Sequence, residues 1–594
     1  MDVKLKYKNS LIGSLDASGT KTLLTSGKYC EDDIEVEYTK PPSGRIIQDE
    51  NGYVHLSDDG TLVAEVPLSV TSNGTYTPNS GYAYSSVNVN VQPTLGTATV
   101  TPSYQTQEIT PGQGEYGLSK VTVNPIPNPI ADENDVIFID YDGEIRYSYS
   151  ASEFANLSAL PANPSHDGLT AQGWNWTMAD AKTYVTKYGM HCIGQVYDTV
   201  DRKTHLYIDL PEGYTSPYVG VAGQSGYTAL IEWGDGQSDN VTFAGTTVAS
   251  TVWTQHDYAN SGEYEIKISS QKTIWFIGSA ANVNAIITHP TDTVQRSAYR
   301  SSLRSVRFGG DVRIDSYAFY GFRSLQSVTI PNTAKISGYR SFPNNTNLRA
   351  FVFPSSSILG FEYGEMFAHC YNLRYVSFPK NAPAFYNAEF YDCSTLRRLC
   401  VPENNTSLSQ DICRDARSLN RVAIPDNVTE FKRFTFSGSN IRSIRLPPNH
   451  ATLTGGYHFN NCTCLLSIDI PASVTAIPAS TFVDCSALGE IIFNRATPPT
   501  VANSNAFNGG PVGRVIYVPF SSLAAYLTAT NYPDPATYTY VGFATYENGV
   551  TLPTQDSTQA YNVTWYATKA DAMAQTNSIS VGNGNRIFCR YTAV

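Results

Sequence analysis

A leucine or isoleucine returns every 22 to 25 residues through the middle of this chain. These anchor positions are Leu303, Leu325, Leu348, Leu373, Leu396, Leu419, Ile441, Leu465 and Leu488. Apolar residues follow each anchor three and five positions later, as Val376 and Phe378 do after Leu373. A unit of this size with one short strand cannot bury its apolar side alone, so it must stack on its neighbours. The spacing therefore predicts a solenoid of stacked turns.

Two further positions recur in most of the nine units. Proline ends the predicted strand at Pro331, Pro354, Pro379, Pro402, Pro425, Pro447 and Pro471, because proline has no backbone N–H to donate. A phenylalanine then returns at Phe319, Phe342, Phe367, Phe390, Phe436, Phe459, Phe482 and Phe507. The unit that begins at Leu396 departs from this pattern, and we place Ile412 at its phenylalanine position.

The units "SLRSVRFGGDVRIDSYAFYGF" and "LLSIDIPASVTAIPASTFVDCSAL" resemble the BspA-like branch of leucine-rich repeats. The likeness covers residues 300–510, and the segment from "ATPPTV" to "ATNY" is similar to the end unit of such arrays. The resemblance implies a leucine-rich-repeat solenoid over 273–535, with 300–510 as its core.

A different module precedes the array. The strings "WGDG", at Trp233 to Gly236, and "HDYANSGEYEIKI", at His256 to Ile268, resemble the two ends of a PKD-type β-sandwich. The resemblance implies a PKD-like sandwich over residues 205–272, and such modules act as spacers or adhesive units.

The remaining sections are assigned from local patterns. Residues 131–204 predict an α+β segment, with a hairpin at Asp142-Gly143 and a helix that starts at Thr177 and stops at Gly189. Residues 1–130 hold short repeated units that alternate in the manner of small β-hairpins, and residues 536–594 predict a terminal β module. The expected fold class is therefore mainly β and multidomain.

No catalytic constellation is visible in the sequence. The glycine string "GQGEYG" leads into an apparent strand rather than a helix, which argues against a dinucleotide site. The loop from Asp140 lacks the glutamate that an EF-hand needs at its twelfth position, and no zinc-type cysteine spacing occurs. We expect no enzyme activity, cofactor or metal, and we expect the ten cysteines to be buried thiols.

One cationic pattern stands out in the array. The residue after the anchor is arginine at Arg304, Arg349, Arg374, Arg397 and Arg442. Turns of a solenoid lie about 4.8 Å apart, so these arginines would form a stripe, and like charges that close together are destabilising. Either nearby carboxylates neutralise the stripe, or it awaits an anionic ligand such as a phosphate-bearing or acidic surface glycan. Tyr375 is added to this candidate ligand-binding set because tyrosine favours recognition surfaces.

The charge is uneven along the chain. Residues 301–500 contain 19 Lys and Arg against 14 Asp and Glu, or +5, whereas the rest of the chain carries −17. We expect no nucleic-acid partner and no membrane insertion, because no basic run and no long apolar segment occurs. The start of the chain lacks an apolar stretch suited to a signal peptide, so we expect synthesis in the host cytoplasm.

The N-terminal units and "GLTAQGWNWTMADAKTYVTKYG" resemble tail-fibre and receptor-binding proteins of tailed bacteriophages. The resemblance implies location in the virion tail and attachment to other tail or baseplate proteins through the N-terminal region. It also implies contact of the distal region with a host-surface glycan or protein, and a homo-oligomer, possibly a trimer in this family. The alternatives are a bacterial cell-surface leucine-rich-repeat adhesin and a glycan-degrading tail enzyme.

Overall fold

The chain divides into two compact units, Met1–Asn134 and Asp135–Val594. The computed structural model describes residues 134–278, 286–289, 291–337, 339–355, 364–535, 537–556 and 561–593. It also describes the strand Ile358–Gly360 and a set of strands between residues 3 and 125. The described elements are mainly strands, which confirms the predicted fold class.

The first unit contains short antiparallel strands. They form two four-stranded sheets and one two-stranded pair. The first sheet contains Val3–Tyr7, Ser10–Leu15, Lys21–Leu23 and Ile34–Glu37, the second contains Gly74–Tyr76, Tyr84–Val91, Gln107–Ile109 and Leu118–Pro125, and the pair is Pro67–Val70 with Gly96–Thr99. The other residues before 134 lie outside the described part of the chain.

The second unit begins with a four-stranded mixed sheet and two helices. In sheet order the strands are Ile145–Tyr149, Val136–Ile139, His191–Thr199 and Leu169–Trp174, and the helices are Ala151–Asn156 and Met178–Tyr188. The longer helix starts where the Thr177 side chain accepts the N–H of Asp180, and it ends at Gly189, whose φ is 78°. The predicted hairpin and the predicted helix are both confirmed.

Two sheets follow before the repeats. The larger begins with Ser238–Thr242, Thr228–Glu232, Gly262–Ser270 and Thr204–Leu210, and the smaller contains Val252–Gln255, Tyr218–Val221 and Ile287–Thr288. The two sequence motifs of this region meet in the structure, because the Tyr258 hydroxyl donates to the Trp233 carbonyl and the His256 ring stacks on Trp233 at 4.6 Å. These contacts lock the turn of one motif against the strand start of the other.

The larger sheet continues without a break into the repeat array. Thr204–Leu210 pairs antiparallel with Leu303–Arg307, which in turn pairs parallel with Ser327–Thr329. The helix Thr293–Ser302 precedes this first repeat strand, and Asp292 caps it by accepting two backbone N–H groups. The end of the solenoid is thereby covered by a neighbouring sheet, which protects an edge that would otherwise expose unpaired backbone groups.

The array is a solenoid of about ten turns. Its first column of strands is Leu303–Arg307, Ser327–Thr329, Ala350–Val352, Tyr375–Ser377, Arg398–Cys400, Arg421–Ala423, Ser443–Arg445, Ser467–Ile470, Glu490–Phe493 and Val515–Pro519. The second column is Ile274–Phe276, Val312–Ile314, Lys335–Ser337, Ile358–Gly360, Ser407–Leu408, Glu430–Phe431, Thr452–Leu453, Ala476–Ile477 and Thr500–Val501. Wherever neighbouring strands of a column pair, the pairing is parallel.

The recurring phenylalanines form a stack inside the solenoid. Ring centroids lie 5.9 Å apart between Phe436 and Phe459 and 5.6 Å apart between Phe459 and Phe482, with nearly parallel planes. A cysteine thiol beside the stack donates to the phenylalanine carbonyl of the preceding turn, as Cys485 does to Phe459 at 2.9 Å. The cysteine at this position therefore has two roles: its small side chain fills the space beside the stack, and its thiol gives a buried carbonyl a hydrogen-bond donor.

The assignment of Ile412 to the phenylalanine position is wrong. The N–H of Phe390 donates to the carbonyl of Ile412, and the N–H of Cys413 donates to that of Thr435, the residue before Phe436. This ladder puts Cys413 in the phenylalanine position, 23 residues from its equivalents on both sides. The backbone register, rather than the larger apolar side chain, decides which residue enters the stack.

Eight cysteines of the described residues are free and buried. Burial raises the pKa of Cys370 to about 12 and that of Cys462 to about 11, so these thiols stay protonated and unreactive at neutral pH. Cys464 is disulfide-bonded, so the expectation of ten thiols is wrong at that position.

The C-terminal module extends the sheet formed by the first strand column. Two short 3-10 helices, Ser504–Phe507 and Phe520–Ser522, and the α-helix Leu523–Leu527 come before it. The strand Thr539–Thr545 then pairs parallel with Val515–Pro519, the last strand of the column. The remaining elements are the strands Gln555–Asp556, Tyr561–Tyr566, Ser578–Ile579 and Arg586–Ala593 and the helix Lys569–Ala574. Trp565 is buried at the centre of this module.

Candidate binding surface

The outer face of the first strand column is covered in the middle of the array. Side chains here alternate with the core positions and would face solvent in an isolated solenoid. In five places they are instead buried in one apolar cluster with the α+β segment: Ala350, Val352, Tyr375, Cys400 and Ala423. The segment contributes Val136, Phe138, Ile193 and Val196 to this cluster. The two parts therefore share a core.

Polar side chains of the segment satisfy backbone carbonyls at the edge of the solenoid. Asn175 donates to the Phe353 carbonyl at 3.0 Å, and the Trp176 indole N–H donates to that of Phe378 at 2.6 Å. The Tyr184 hydroxyl donates to the Val401 carbonyl at 2.8 Å. These buried hydrogen bonds set the register between two parts of the chain that lie about 200 residues apart in sequence.

Replacing Gly194 by alanine is expected to loosen this interface by about 1–3 kcal/mol, because the added Cβ would overpack it. That atom would lie 2.4 Å from Cγ1 of Val352 and 2.9 Å from Cβ of Ser377. Urea denaturation and limited proteolysis within residues 135–200 measure the loss. Lys187→Ala, which removes a 3.4 Å surface ion pair with Glu403 at the same interface, is the control and should change little. Equal proteolytic resistance in G194A and the wild type would contradict the expectation.

The C-terminal module covers the same strand face at the far end. Ile492 and Tyr517 of the solenoid are buried in one cluster with Phe543 and Phe588 of the module. The Lys569 ammonium forms a 2.8 Å ion pair with Glu490 on the strand surface. The chain itself therefore covers the strand face in the middle of the array and at its far end, and the turns that flank the strands offer further exposed surface.

The backbone places the predicted arginine positions on successive turns. The N–H of Arg374 donates to the Arg349 carbonyl at 2.8 Å, and the N–H of Arg397 donates to the Arg374 carbonyl at 3.1 Å. Arg304 and Arg442 occupy the equivalent position on other turns, as the same ladder shows for Gln326 with Arg304. The geometry of the stripe therefore follows the repeat register.

The environments of these arginines differ. Arg304 forms a 2.7 Å ion pair with Asp209 of the neighbouring sheet, so a nearby carboxylate neutralises its charge. Arg397 and Arg442 are half-buried and engaged in further interactions. Arg349 and Arg374 are exposed, and neither has an ion pair or a side-chain hydrogen bond with any residue that the structure describes.

Tyr375 requires a correction. Its side chain is only 4% exposed and belongs to the core shared by the solenoid and the α+β segment. It faces away from the turn surface because strand side chains alternate, and Tyr375 directly follows the exposed Arg374. Its role is therefore packing, and a ligand cannot reach it without displacing the segment.

Residues missed by the sequence interpretation complete the surface around the two open arginines. Asn347 and Asn372 lie on the same successive turns and are joined by a 3.1 Å hydrogen bond between their side chains. Tyr371 is 41% exposed beside them. We call Asn347, Arg349, Tyr371, Asn372 and Arg374 the arginine ridge. The signal in the sequence was the polar residue that stands directly before most of the anchors, as Asn347 does before Leu348 and Asn372 before Leu373.

The ridge has a defined boundary on one side. A Cβ placed on Gly143, in the hairpin turn of the α+β segment, would lie 3.3 Å from Cβ of Arg349. The carboxylates of that turn are drawn to Arg146, which lies 3.7 Å from Asp142 and 2.8 Å from Glu144. Anion-binding capacity therefore rests on the guanidinium groups and amides of the ridge, which suit phosphate or carboxylate oxygens.

No group of three or more His, Cys, Asp or Glu side chains in the described residues is arranged to hold a metal ion. None of the described helices has the length and apolar content needed to cross a bilayer.

The comparisons with known proteins identify the repeats. Residues 292–420 and 412–519 match the family described as BspA type leucine rich repeat region, in six copies. The predicted leucine-rich-repeat solenoid is thus confirmed over that part of the chain. No curated protein sequence matches the chain.

Several solved structures are similar to the chain. A leucine-rich repeat protein from Bacteroides ovatus ATCC 8483 is 17% identical, with 40% of this chain and 82% of that chain covered and a TM-score of 0.27. A leucine rich cell surface protein from Faecalibacterium prausnitzii A2-165 is 16% identical, with 45% and 92% covered and a TM-score of 0.27. The pneumococcal vaccine antigen PcpA is 17% identical, with 39% and 68% covered and a TM-score of 0.26.

Proposed function

We propose that this protein is an adhesin that attaches a bacteriophage tail to an anionic glycan on the host surface. The observation that carries the proposal is the pair Arg349 and Arg374, exposed on successive turns without a carboxylate partner among the described residues. Stacked turns lie about 4.8 Å apart, so the pair offers two neighbouring guanidinium groups to a polymer with closely spaced negative charges.

Two further observations support a binding role. The array carries +5 within a chain whose other residues carry −17, so an anionic partner is drawn to the array. Two modules of the same chain cover much of the strand face, whereas the turns carry exposed side chains such as Arg349 and Arg374. A long flank without an enclosed cleft suits many weak contacts, which several copies on one particle would multiply.

The other modules take roles that follow from the sequence resemblances. The two-sheet module is proposed to act as a spacer, as PKD-type sandwiches do, and the first unit to attach to tail or baseplate proteins in a homo-oligomer. A bacterial cell-surface adhesin would use the same ridge. A glycan-degrading tail enzyme is disfavoured by the lack of a catalytic motif in the sequence, and release of sugars from host wall polysaccharide would reverse that preference.

The double substitution Arg349→Ala and Arg374→Ala is expected to weaken adsorption of the full chain to host cells by about 10- to 30-fold at low salt. The estimate takes about 1 kcal/mol for each lost charge-assisted contact. Quantitative pull-down with host cells, repeated at rising salt, measures the effect, and the salt dependence of the variant should be shallower. Arg417→Ala is the control, because this arginine is 72% exposed and lies 4.0 Å from Asp415. Undiminished adsorption of the double variant would rule out the ridge as the site.

A further inference from the structure

Aromatic rings and cations follow one another across five turns of the array, next to the arginine ridge. We call His369, Tyr391, Arg414, Arg433, Phe434 and Tyr457 the ring band. Neighbouring members are in direct contact. The His369 and Tyr391 rings are 5.0 Å apart, and Arg414 lies 5.7 Å from the Tyr391 ring and 4.5 Å from the Phe434 ring.

The far end of the ring band is a compact stack. Arg433 lies 4.5 Å from the Phe434 ring and 5.5 Å from the Tyr457 ring, and the two rings are 4.9 Å apart with a 34° tilt. Phe434 and Tyr457 are half-buried, so part of each ring remains open to solvent. The stack thus combines apolar ring surface with one guanidinium.

The backbone at these two positions does not favour a large side chain. Phe434 has a φ of 58° and Tyr457 a φ of 61°, in the left-handed region that glycine and asparagine adopt at lowest cost. The second left-handed turn of these units does use such residues, with Gly438 and Asn461. Rings at the first turn therefore carry a backbone cost while part of each ring stays open to solvent, which favours a role at the surface.

The two arginines of the ring band are held differently. Arg414 is 3.3 Å from Asp411 and 3.6 Å from Asp415, so its charge is compensated within the fold. Arg433 is exposed, and its recorded side-chain contacts are the two rings, with no carboxylate partner among the described residues. Its guanidinium edge is therefore open to an anion while its face rests on the rings.

We propose that the ring band binds a glycan that carries an anionic group. The open faces of Phe434 and Tyr457 stack against the apolar faces of sugar rings, and the Arg433 guanidinium donates to carboxylate or phosphate oxygens of the same glycan. This inference rests on the proposed adhesin function and deepens it, because it adds ring recognition to charge recognition. The excess positive charge of the array favours an acidic polymer over a neutral one.

The test measures binding of the full chain to four polymers by affinity gel electrophoresis. Polygalacturonate carries rings and carboxylates, phosphorylated dextran carries rings and phosphates, dextran carries rings alone, and polyphosphate carries charge alone. The wild type should bind at least one of the two charged sugar polymers more tightly than dextran or polyphosphate. The charged polymer that binds identifies the anionic group.

Variants separate the ring band from the arginine ridge. Tyr457→Ala and Arg433→Ala should each weaken binding to the charged sugar polymer by about 5- to 10-fold, the scale of one stacking or cation–π contact. Tyr457→Ala should leave polyphosphate binding unchanged. Tyr386→Ala is the matched control, because Tyr386 is 49% exposed on the same array and lies outside the band.

Each outcome has one meaning. Equal binding by Y457A and Y386A, or a wild type that retains neither charged sugar polymer, overturns the ring band. Loss of binding in the Arg349 and Arg374 double variant together with full binding in Y457A also overturns the band, while the arginine ridge stands. The reverse pattern supports the band and removes the ridge from the proposed function.

Discussion

Replacing Phe459 by alanine is expected to lower the free energy of unfolding by about 3–5 kcal/mol. The side chain is fully buried, and its ring lies between Phe436 and Phe482 in the interior stack. Removing it leaves a cavity that the neighbouring turns cannot fill, because their rings are held in place by the turns beyond. Loss of the ring also removes two stacked aromatic contacts.

Chemical denaturation of the full chain, followed by circular dichroism, measures this loss. Phe434→Ala is the matched control, because Phe434 lies on the same array but is only partly buried, and its removal should cost about 1 kcal/mol or less. A similar loss in both variants would mean that the stack carries no more stability than surface rings. A solenoid passes strain to its nearest neighbours, so the destabilised turns should be those around residue 459.

Replacing Glu389 by glutamine is expected to change the pH dependence of stability by about 3 kcal/mol between pH 4.5 and pH 8. Burial raises the pKa of this carboxyl from its ordinary 4.5 to about 7, against two backbone N–H groups, of Met366 and Tyr386, that favour the charged form. The side chain is 2% exposed. A raised pKa means that the contribution of Glu389 is fully present below pH 4.5 and is lost as pH rises through about 7.

The variant is therefore expected to gain stability over the wild type as pH rises. Denaturation curves of both proteins at pH 4.5, 6, 7 and 8 give the difference directly. The comparison is needed because burial lowers the pKa of His191 to about 3 and of His450 and His458 to about 4. Those histidines stabilise the fold above pH 6.5 and lose that contribution as pH falls, in both proteins alike. Parallel curves for E389Q and the wild type would contradict the prediction.

Local and repeated features of the fold were predictable. The anchors, the prolines and the phenylalanine positions identify the solenoid because each unit makes the same contacts with the unit before it. The hairpin at Asp142-Gly143 and the helix from Thr177 to Gly189 were predictable for a similar reason, since turn and cap signals act within a few residues. The error at Ile412 arose where apolar character and spacing disagreed.

The candidate site was only partly predictable. The arginine positions follow the repeat, so the stripe could be read from the spacing, but the pairing of Arg304 with Asp209 and the burial of Tyr375 could not. A signal for the covered strand face was present in Ala350 and Val352, two apolar residues at positions that alternation assigns to solvent. This signal was ambiguous, because an apolar side chain at an outer position indicates that another part of the protein packs against it but does not identify that part.

The amino-acid sequence by itself determined the period of the array, the side chains that enter its interior and the backbone register that stacks the arginines. Those properties depend on contacts between residues about 23 positions apart, repeated many times, so a periodic pattern records them. Only the tertiary structure decided which surfaces remain open, because the α+β segment and the C-terminal module cover parts of the strand face through contacts that occur once. Such contacts, like that of Trp176 with Phe378, depend on shape and on chain geometry over long distances and leave no period in the sequence.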